Sequence, residues 1–180
     1  KIYPFANSFP HSVSHSIFKQ ITSAVLNIKS FKYNSGILIL HANLAALFLV
    51  IPNLLYNFEE ARNNLSLLYL IIFGLAGIIG FILLYKADKT KDTGVLQLIC
   101  FVGLIFSELM LLLFKFHFSL FIMAFALFFV CFNFLASSFP ASASKVAQQK
   151  QKGTFMGVYS SFQFLGIFIG GICGGMLNAN

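Results

Sequence analysis

Charge is what this sequence has least of. Only 9% of its 180 residues are charged, and five of those are acidic: Glu59, Glu60, Asp88, Asp92 and Glu108. With 58% hydrophobic residues, 24 phenylalanines and a mean hydropathy of +0.86, the chain falls outside the composition of water-soluble globular domains. Catalytic signatures are missing as well. There is no HExxH, no GxSxG, no P-loop and no glycine-rich phosphate cradle after a strand, so an enzyme is not expected. The three cysteines, Cys100, Cys131 and Cys173, lie within apolar runs without CxxC spacing or a nearby histidine. They read as small buried hydrophobes, and neither a metal nor a cofactor is expected. No Arg-rich or A-x-A-like leader precedes the first apolar span, so no signal peptide is expected. The chain begins at Lys1 and stops directly after an apolar span, which reads as a fragment of a longer protein.

What is present is a series of long apolar runs. Five spans, roughly Ser35–Tyr56, Ser66–Tyr85, Gly94–Phe114, Phe116–Ser138 and Thr154–Met176, are each near the ~20 residues needed to cross the hydrocarbon core. The expected fold is an all-α integral membrane bundle. Short connections make successive spans antiparallel neighbours, and the tight turn at Lys115–His117 makes a hairpin of the third and fourth. Pro140 should bend or end the fourth span, and Ala141–Lys152 after it reads as a short polar loop or a short helical stretch. The phenylalanines of the fourth span read as lipid-facing filler rather than as the wall of an aromatic pocket.

The net charge of +7 does not imply nucleic acid, because the lysines cluster beside the spans. Lys1, Lys19, Lys29, Lys32, Lys86, Lys89, Lys91, Lys145, Lys150 and Lys152 fall on one side, and only Arg62 and Lys115 on the other. By the positive-inside rule the lysine-rich side, with the amino-terminal segment, is cytoplasmic. Residues 1–34 are mixed and polar and read as a linker. Within them Ser16–Leu26 carries Ile17, Ile21 and Val25 at helical spacing, which allows a short amphipathic helix at the membrane surface.

The last span is the most distinctive. Gly153–Gly175 is apolar yet holds Gly157, Gly166, Gly170, Gly171, Gly174 and Gly175. Gly166, Gly170 and Gly174 recur every four residues and share one helical face, as do Gly171 and Gly175. A bare face of this kind lets another helix approach closely in lipid.

Few polar residues interrupt the spans. Glu108 is the only acid inside one. It is either a proton-relay candidate or a local partner for Lys115, two turns on along the same face. His41 and Asn43 lie in the first span and Asn133 in the fourth. A membrane histidine either clamps helices or titrates near neutral pH, and Asn133 is either a clamp or a cavity residue. Tyr159, Ser160 and Gln163 flank the glycine face and read as gate or cavity edge, or as simple packing. Asp88 and Lys89 lie in the loop after the second span, which sets topology.

Certain of these residues carry a family resemblance. Phe132-Asn133, Pro140, Ser144-Lys145, Lys152-Gly153-Thr154-x-Met156-Gly157-Val158-Tyr159-Ser160 and Gln163-Phe164-Leu165-Gly166 resemble helices ten and eleven of major facilitator superfamily (MFS) transporters. The likeness is nearest to bacterial drug/proton antiporters of the YajR type. Gly36-Ile37 with Leu40-His41 resembles the start of helix seven, and Glu108 a glutamate of helix nine. The spacing of Gly157, Gly166, Gly170-Gly171 and Gly174-Gly175 is similar to the antiporter motif of helix five, of which helix eleven is the pseudo-symmetric counterpart. Ala87-Asp88-Lys89-Thr90-Lys91 resembles a degraded form of the loop between helices two and three.

The resemblance implies helices seven to eleven of a twelve-helix fold in a bacterial inner membrane. It implies proton-coupled efflux of small apolar compounds, and as partners the lipid bilayer, the amino-terminal half, a substrate and protons. An uptake carrier of the same fold and a non-transporting scaffold or gene remnant are the alternatives. Such antiporters tend to carry an acid shortly after the asparagine of helix ten. Here that neighbourhood is Leu135-Ala136-Ser137-Ser138, so it supplies no proton carrier.

Overall fold

The computed structural model describes residues 11–147 and 151–179. Pro4 and Pro10 of the linker, Lys1 and Lys150 of the basic side, and the side chains of residues 11–17 and of Lys29 lie outside what it describes. The described residues form α1 (His11–Leu26), α2 (Ile28–Tyr56), α3 (Glu59–Arg62), α4 (Leu65–Thr90), α5 (Thr93–Leu113), α6 (Phe118–Val146) and α7 (Lys152–Asn178). Five of these, α2 from Ser30 onward and α4 to α7, are long and apolar enough to cross a membrane. They match the five expected spans, but several run further. α4 reaches Thr90 and α6 reaches Val146, because turn chemistry rather than loss of hydropathy ends a helix. Expected linker sequence is helical too, as α1 and the first turns of α2.

Pro140 does not end α6. It lies inside a helix that closes with the Ala147 N–H on the Ala143 carbonyl at 3.2 Å. Proline removes a single backbone hydrogen bond, and the stretch around it is held by packing, with Phe139 and Ala143 buried on either side. Of the two readings of the stretch after it, the helical one holds over residues 141–146.

The loops are built from local contacts. Arg62 of α3 donates from Nε to the Tyr56 carbonyl at 3.3 Å and stacks 5.3 Å over the Tyr56 ring, closing the end of α2. Lys91 takes the left-handed conformation (φ 61°) and reverses the chain between α4 and α5. The Phe114–His117 turn makes the expected α5–α6 hairpin, closed by the His117 N–H on the Phe114 carbonyl at 3.0 Å.

α6 is the centre of the bundle, touching α5, α4, α2 and α7. Its phenylalanines are the core and not lipid-facing filler: Phe121, Phe125, Phe128, Phe129 and Phe134 are all at most 2% exposed. Phe129 meets Phe125 at 4.8 Å and Phe73 of α4 at 5.2 Å, both edge to face, and Phe125 meets Tyr69 of α4 at 5.3 Å. The opposite pattern holds on the flanks, where Leu70, Phe81, Leu112 and Phe168 are exposed, as lipid contact demands. In lipid both environments are apolar, so hydropathy does not separate them. Phe128→Ala is expected to cost about 2 kcal/mol, less than in a water-soluble core, because dispersion contacts are lost without a transfer term from water. Reversible unfolding in mixed micelles checks this.

α2 and α7 run parallel and make the most extensive contact of the bundle. Their facing residues repeat every four positions on both helices: Leu38, Ala42 and Ala46 on α2 meet Gly166, Gly170 and Gly174 on α7. A Cβ placed on those glycines would stand 3.0, 2.7 and 2.7 Å from the Cα atoms of Leu38, Ala42 and Ala46. No side chain fits there. Gly157, Gly171 and Gly175 differ. A Cβ on any of them would meet nothing within 4 Å, so the second glycine face is open among the described residues. One residue is ~100° of helix rotation, enough to turn Gly171 away from the seam that Gly170 occupies.

Candidate functional site

His41 stands beside the α2–α7 seam, next to Ala42, and is 8% exposed. Its Nδ1 is 3.2 Å from the Ile37 carbonyl and its Nε2 is 2.9 Å from the amide nitrogen of Gln163 on α7. A carbonyl only accepts, so Nδ1 carries the hydrogen and donates to Ile37. The neutral ring then presents Nε2 as an acceptor for the Gln163 amide. Phe132 of α6 packs edge-on against the imidazole at 5.6 Å. Three helices thus converge on one ring. Protonation would make both nitrogens donors, and Gln163 would have to turn its amide to offer oxygen instead.

Asn43 is two residues from His41, about 200° around the helix, and faces another way. Its amide nitrogen donates to Glu108 Oε1 of α5 at 2.7 Å. The structure therefore joins Asn43 to Glu108. It puts the glutamate in an interhelical bond, whereas the sequence offered a proton relay or a local pair with Lys115, which lies beyond the end of α5.

The remaining candidates are scattered. Asn133 is pressed against α4, where a Cβ on Gly80 would meet its own Cβ at 3.0 Å, and its amide nitrogen is buried with no partner among the described residues. Tyr159 lies one turn before Gln163, 3% exposed, and its hydroxyl also lacks a partner among the described residues. Asp88 and Lys89 are not in a loop. They form the last turn of α4, which continues because the chain reverses only at Lys91, and the Thr90 hydroxyl donates to the Lys86 carbonyl at 3.1 Å. Asp88 there lines a cleft of about 300 Å³ with Lys145 and the hydroxyl residues Thr93, Ser137, Ser138 and Ser142.

Two polar contacts were not singled out from the sequence. Gln97 of α5 donates to Ser138 Oγ at 3.2 Å and Ser142 Oγ at 3.1 Å of α6, and it is 6% exposed. Its signal was available, since Ser138 and Ser142 are four apart and Gln97 is the single amide of its span. At the far end of the seam Asn53 donates to Asn178 Oδ1 at 2.6 Å. Of the cysteines, Cys100 and Cys131 are buried as expected, but Cys173 is exposed on α7. Among the described residues no three His, Cys, Asp or Glu side chains converge as a metal site would require.

What the arrangement can do follows from where polarity sits. A titratable ring is held beside the seam where two membrane helices pack most closely, and a carboxyl group is held between a second helix pair. Both place polar groups between the apolar helices of a membrane bundle, where an unpaired charge is costly.

Comparison with known proteins agrees. The family profile described as Major Facilitator Superfamily matches residues 5–171. The chain is 34% identical over 149 residues to the inner membrane transport protein YajR of Escherichia coli (strain K12), covering 82% of this chain and 32% of that protein. It is 31% identical over 156 residues to an uncharacterized transporter of Buchnera aphidicola subsp. Acyrthosiphon pisum, covering 85% of this chain and 39% of that one. A second Buchnera transporter, from subsp. Baizongia pistaciae, is 28% identical over 171 residues, covering 90% of this chain and 41% of that protein. The chain thus spans between 32% and 41% of the length of the curated relatives it matches. No solved structure matches it significantly. Five membrane-crossing helices, a small-residue seam and a profile covering nearly the whole sequence lead to one assignment: the chain is a multi-pass membrane protein of the major facilitator superfamily of transporters.

Proposed function

We propose that the chain belongs to the carboxy-terminal half of a twelve-helix secondary transporter that exports small apolar compounds against proton entry by alternating access. Residues 1–34 would be the cytoplasmic linker between the halves, and α2, α4, α5, α6 and α7 would be helices seven to eleven. The reading also includes a bacterial inner membrane, supported by the name of the Escherichia coli relative, and a cytoplasmic lysine-rich side, supported by the distribution of lysines.

The observation that carries it is the seam of Leu38, Ala42 and Ala46 against Gly166, Gly170 and Gly174, with the His41–Gln163 bond on its flank. Packing of small residues without interlocking side chains lets one helix shift on another at little cost. In this mechanism a proton arriving at His41 reverses the Gln163 amide and changes the bond between α2 and α7, and the Asn43–Glu108 pair is a second proton-sensitive contact. Tyr159 and Asn133, with their unpartnered polar atoms, would face the pathway or the amino-terminal half. Gly157, Gly171 and Gly175, whose face is open among the described residues, would meet that half as well.

The test uses the complete transporter in inverted membrane vesicles, with a pH-sensitive dye reporting the proton gradient. Adding apolar drugs should collapse the gradient in wild type, and His41→Ala or Glu108→Gln should abolish that response. A correctly inserted protein that dissipates no gradient with any compound would refute proton-coupled export. Accumulation in the reverse direction would replace it with uptake.

A further inference from the structure

The described part of α1 presents two unlike faces. One is docked. Ala24 is 5% exposed, its carbonyl accepts from the Asn34 amide nitrogen of α2 at 3.2 Å, and Asn34 and Ser30 are themselves buried. Gln20 Oε1 accepts from the Thr154 hydroxyl of α7 at 3.3 Å. The helix is therefore fixed in rotation against the first turns of both helices of the seam.

The other face is apolar and bare. Phe18 is 75% exposed and Leu26 74%, with Ile21 between them. Thr22, between Phe18 and Leu26 on the same stripe, turns its hydroxyl back to the Phe18 carbonyl at 2.9 Å and so hides its polarity. The stripe continues into α2 through Ile28, 84% exposed, and Phe31, 55% exposed, and from there onto the flank of a membrane span. Lys19 borders it on α1 and Lys32 on α2. No acidic residue precedes Glu59 in the sequence, so neither α1 nor the first turns of α2 carry a negative charge.

We infer that α1 and the first turn of α2 form an interfacial binding surface for the anionic lipids of one leaflet, with Phe18, Ile21, Leu26, Ile28 and Phe31 in the acyl boundary and Lys19 and Lys32 at headgroup phosphates. An apolar stripe continuous with a transmembrane face belongs at the level where headgroups meet chains. Each lysine near an anionic surface favours it by about fivefold. The occupant is a bilayer surface rather than a soluble partner because Ile28 and Phe31 carry the stripe from α1 onto the membrane-long part of α2 that begins at Ser30. Through Gln20 and Thr154 the surface also bears on α7, so leaflet charge acts on the helix that carries the glycine seam.

The chain contains no tryptophan, so Phe18→Trp and Leu26→Trp, made separately, each give one reporter. The protein is reconstituted into phosphatidylcholine vesicles with and without phosphatidylglycerol, and quenching by brominated lipid is compared with quenching by aqueous iodide. Circular dichroism confirms that each variant is helical. Both reporters should emit in the blue and be quenched by brominated lipid, about twofold more strongly when phosphatidylglycerol is present. Adding Lys19→Gln and Lys32→Gln should remove that difference. Full quenching by iodide, shielding from both quenchers by protein, or equal lipid quenching in the two vesicle types would overturn the inference.

Discussion

Gly170→Leu should destroy the fold's central contact, whereas Gly171→Leu should leave it intact. At position 170 a side chain would be driven into the Ala42 backbone, which has no rotamer to yield, so α2 and α7 must separate. Separation also breaks the His41–Gln163 bond and the Asn53–Asn178 bond on either side. We expect a loss of about 3 kcal/mol or more, beyond the usual cost of overpacking a yielding core. One residue on, a Cβ at 171 meets nothing within 4 Å among the described residues, so a leucine there points away from the seam. Its effect on the stability of this chain should be small, within about 0.5 kcal/mol. Thermal unfolding in detergent, followed by size-exclusion profile, measures both. If Gly171→Leu also impairs transport in the complete protein while sparing stability, the second glycine face meets the missing half, as proposed above.

The second large effect concerns the carboxyl group in the membrane. Asn43→Leu removes the amide that donates to Glu108 and leaves a carboxyl group between apolar helices. Losing one partner of such a pair costs about 3 kcal/mol, whereas replacing both by apolar residues of similar volume is close to neutral. Asn43→Leu should therefore destabilise strongly, and Asn43→Leu with Glu108→Leu should recover most of the loss. Equal destabilisation by the single and double variants would show that the bond holds nothing together. The double variant is also informative for function, because a stable protein without proton-coupled transport would separate the structural role of Glu108 from the proton role proposed for it.

How much of this was legible beforehand depended on what the sequence encodes locally. The five spans were readable because crossing a bilayer requires length and apolarity, and both are local properties. Their ends were not, as at Thr90 and Val146, because a helix stops where the chain can turn and not where it becomes polar. The face of Gly166, Gly170 and Gly174 was readable from its spacing of four, but the partner on α2 was not. Leu38, Ala42 and Ala46 have the same spacing, yet one leucine and two alanines among many carry no mark. Gly171 and Gly175 share that spacing, but a Cβ on either meets nothing within 4 Å among the described residues, so spacing alone does not tell which glycine face is covered within the chain.

The phenylalanines of α6 show the limit most clearly. Phe128 at the core and Phe168 on the flank are the same residue in the same kind of span, and only tertiary position separates them. In the candidate site, His41, Asn43, Glu108 and Gln163 were each conspicuous as polar residues in apolar spans. That they form two separate pairs was not, because the pairing depends on contacts 65 and 122 residues apart in the chain.

The central claim is that His41 and Gln163 act as a single unit where α2 meets α7. A double-mutant cycle on proton-coupled transport in the complete protein tests it most directly, with His41→Ala, Gln163→Ala and the combination measured at equal amounts of inserted protein. If the two side chains form one proton-responsive bond, each single variant should lose most of the activity and the double variant should be no worse than either. Losses that simply multiply would show two independent residues and would contradict the account.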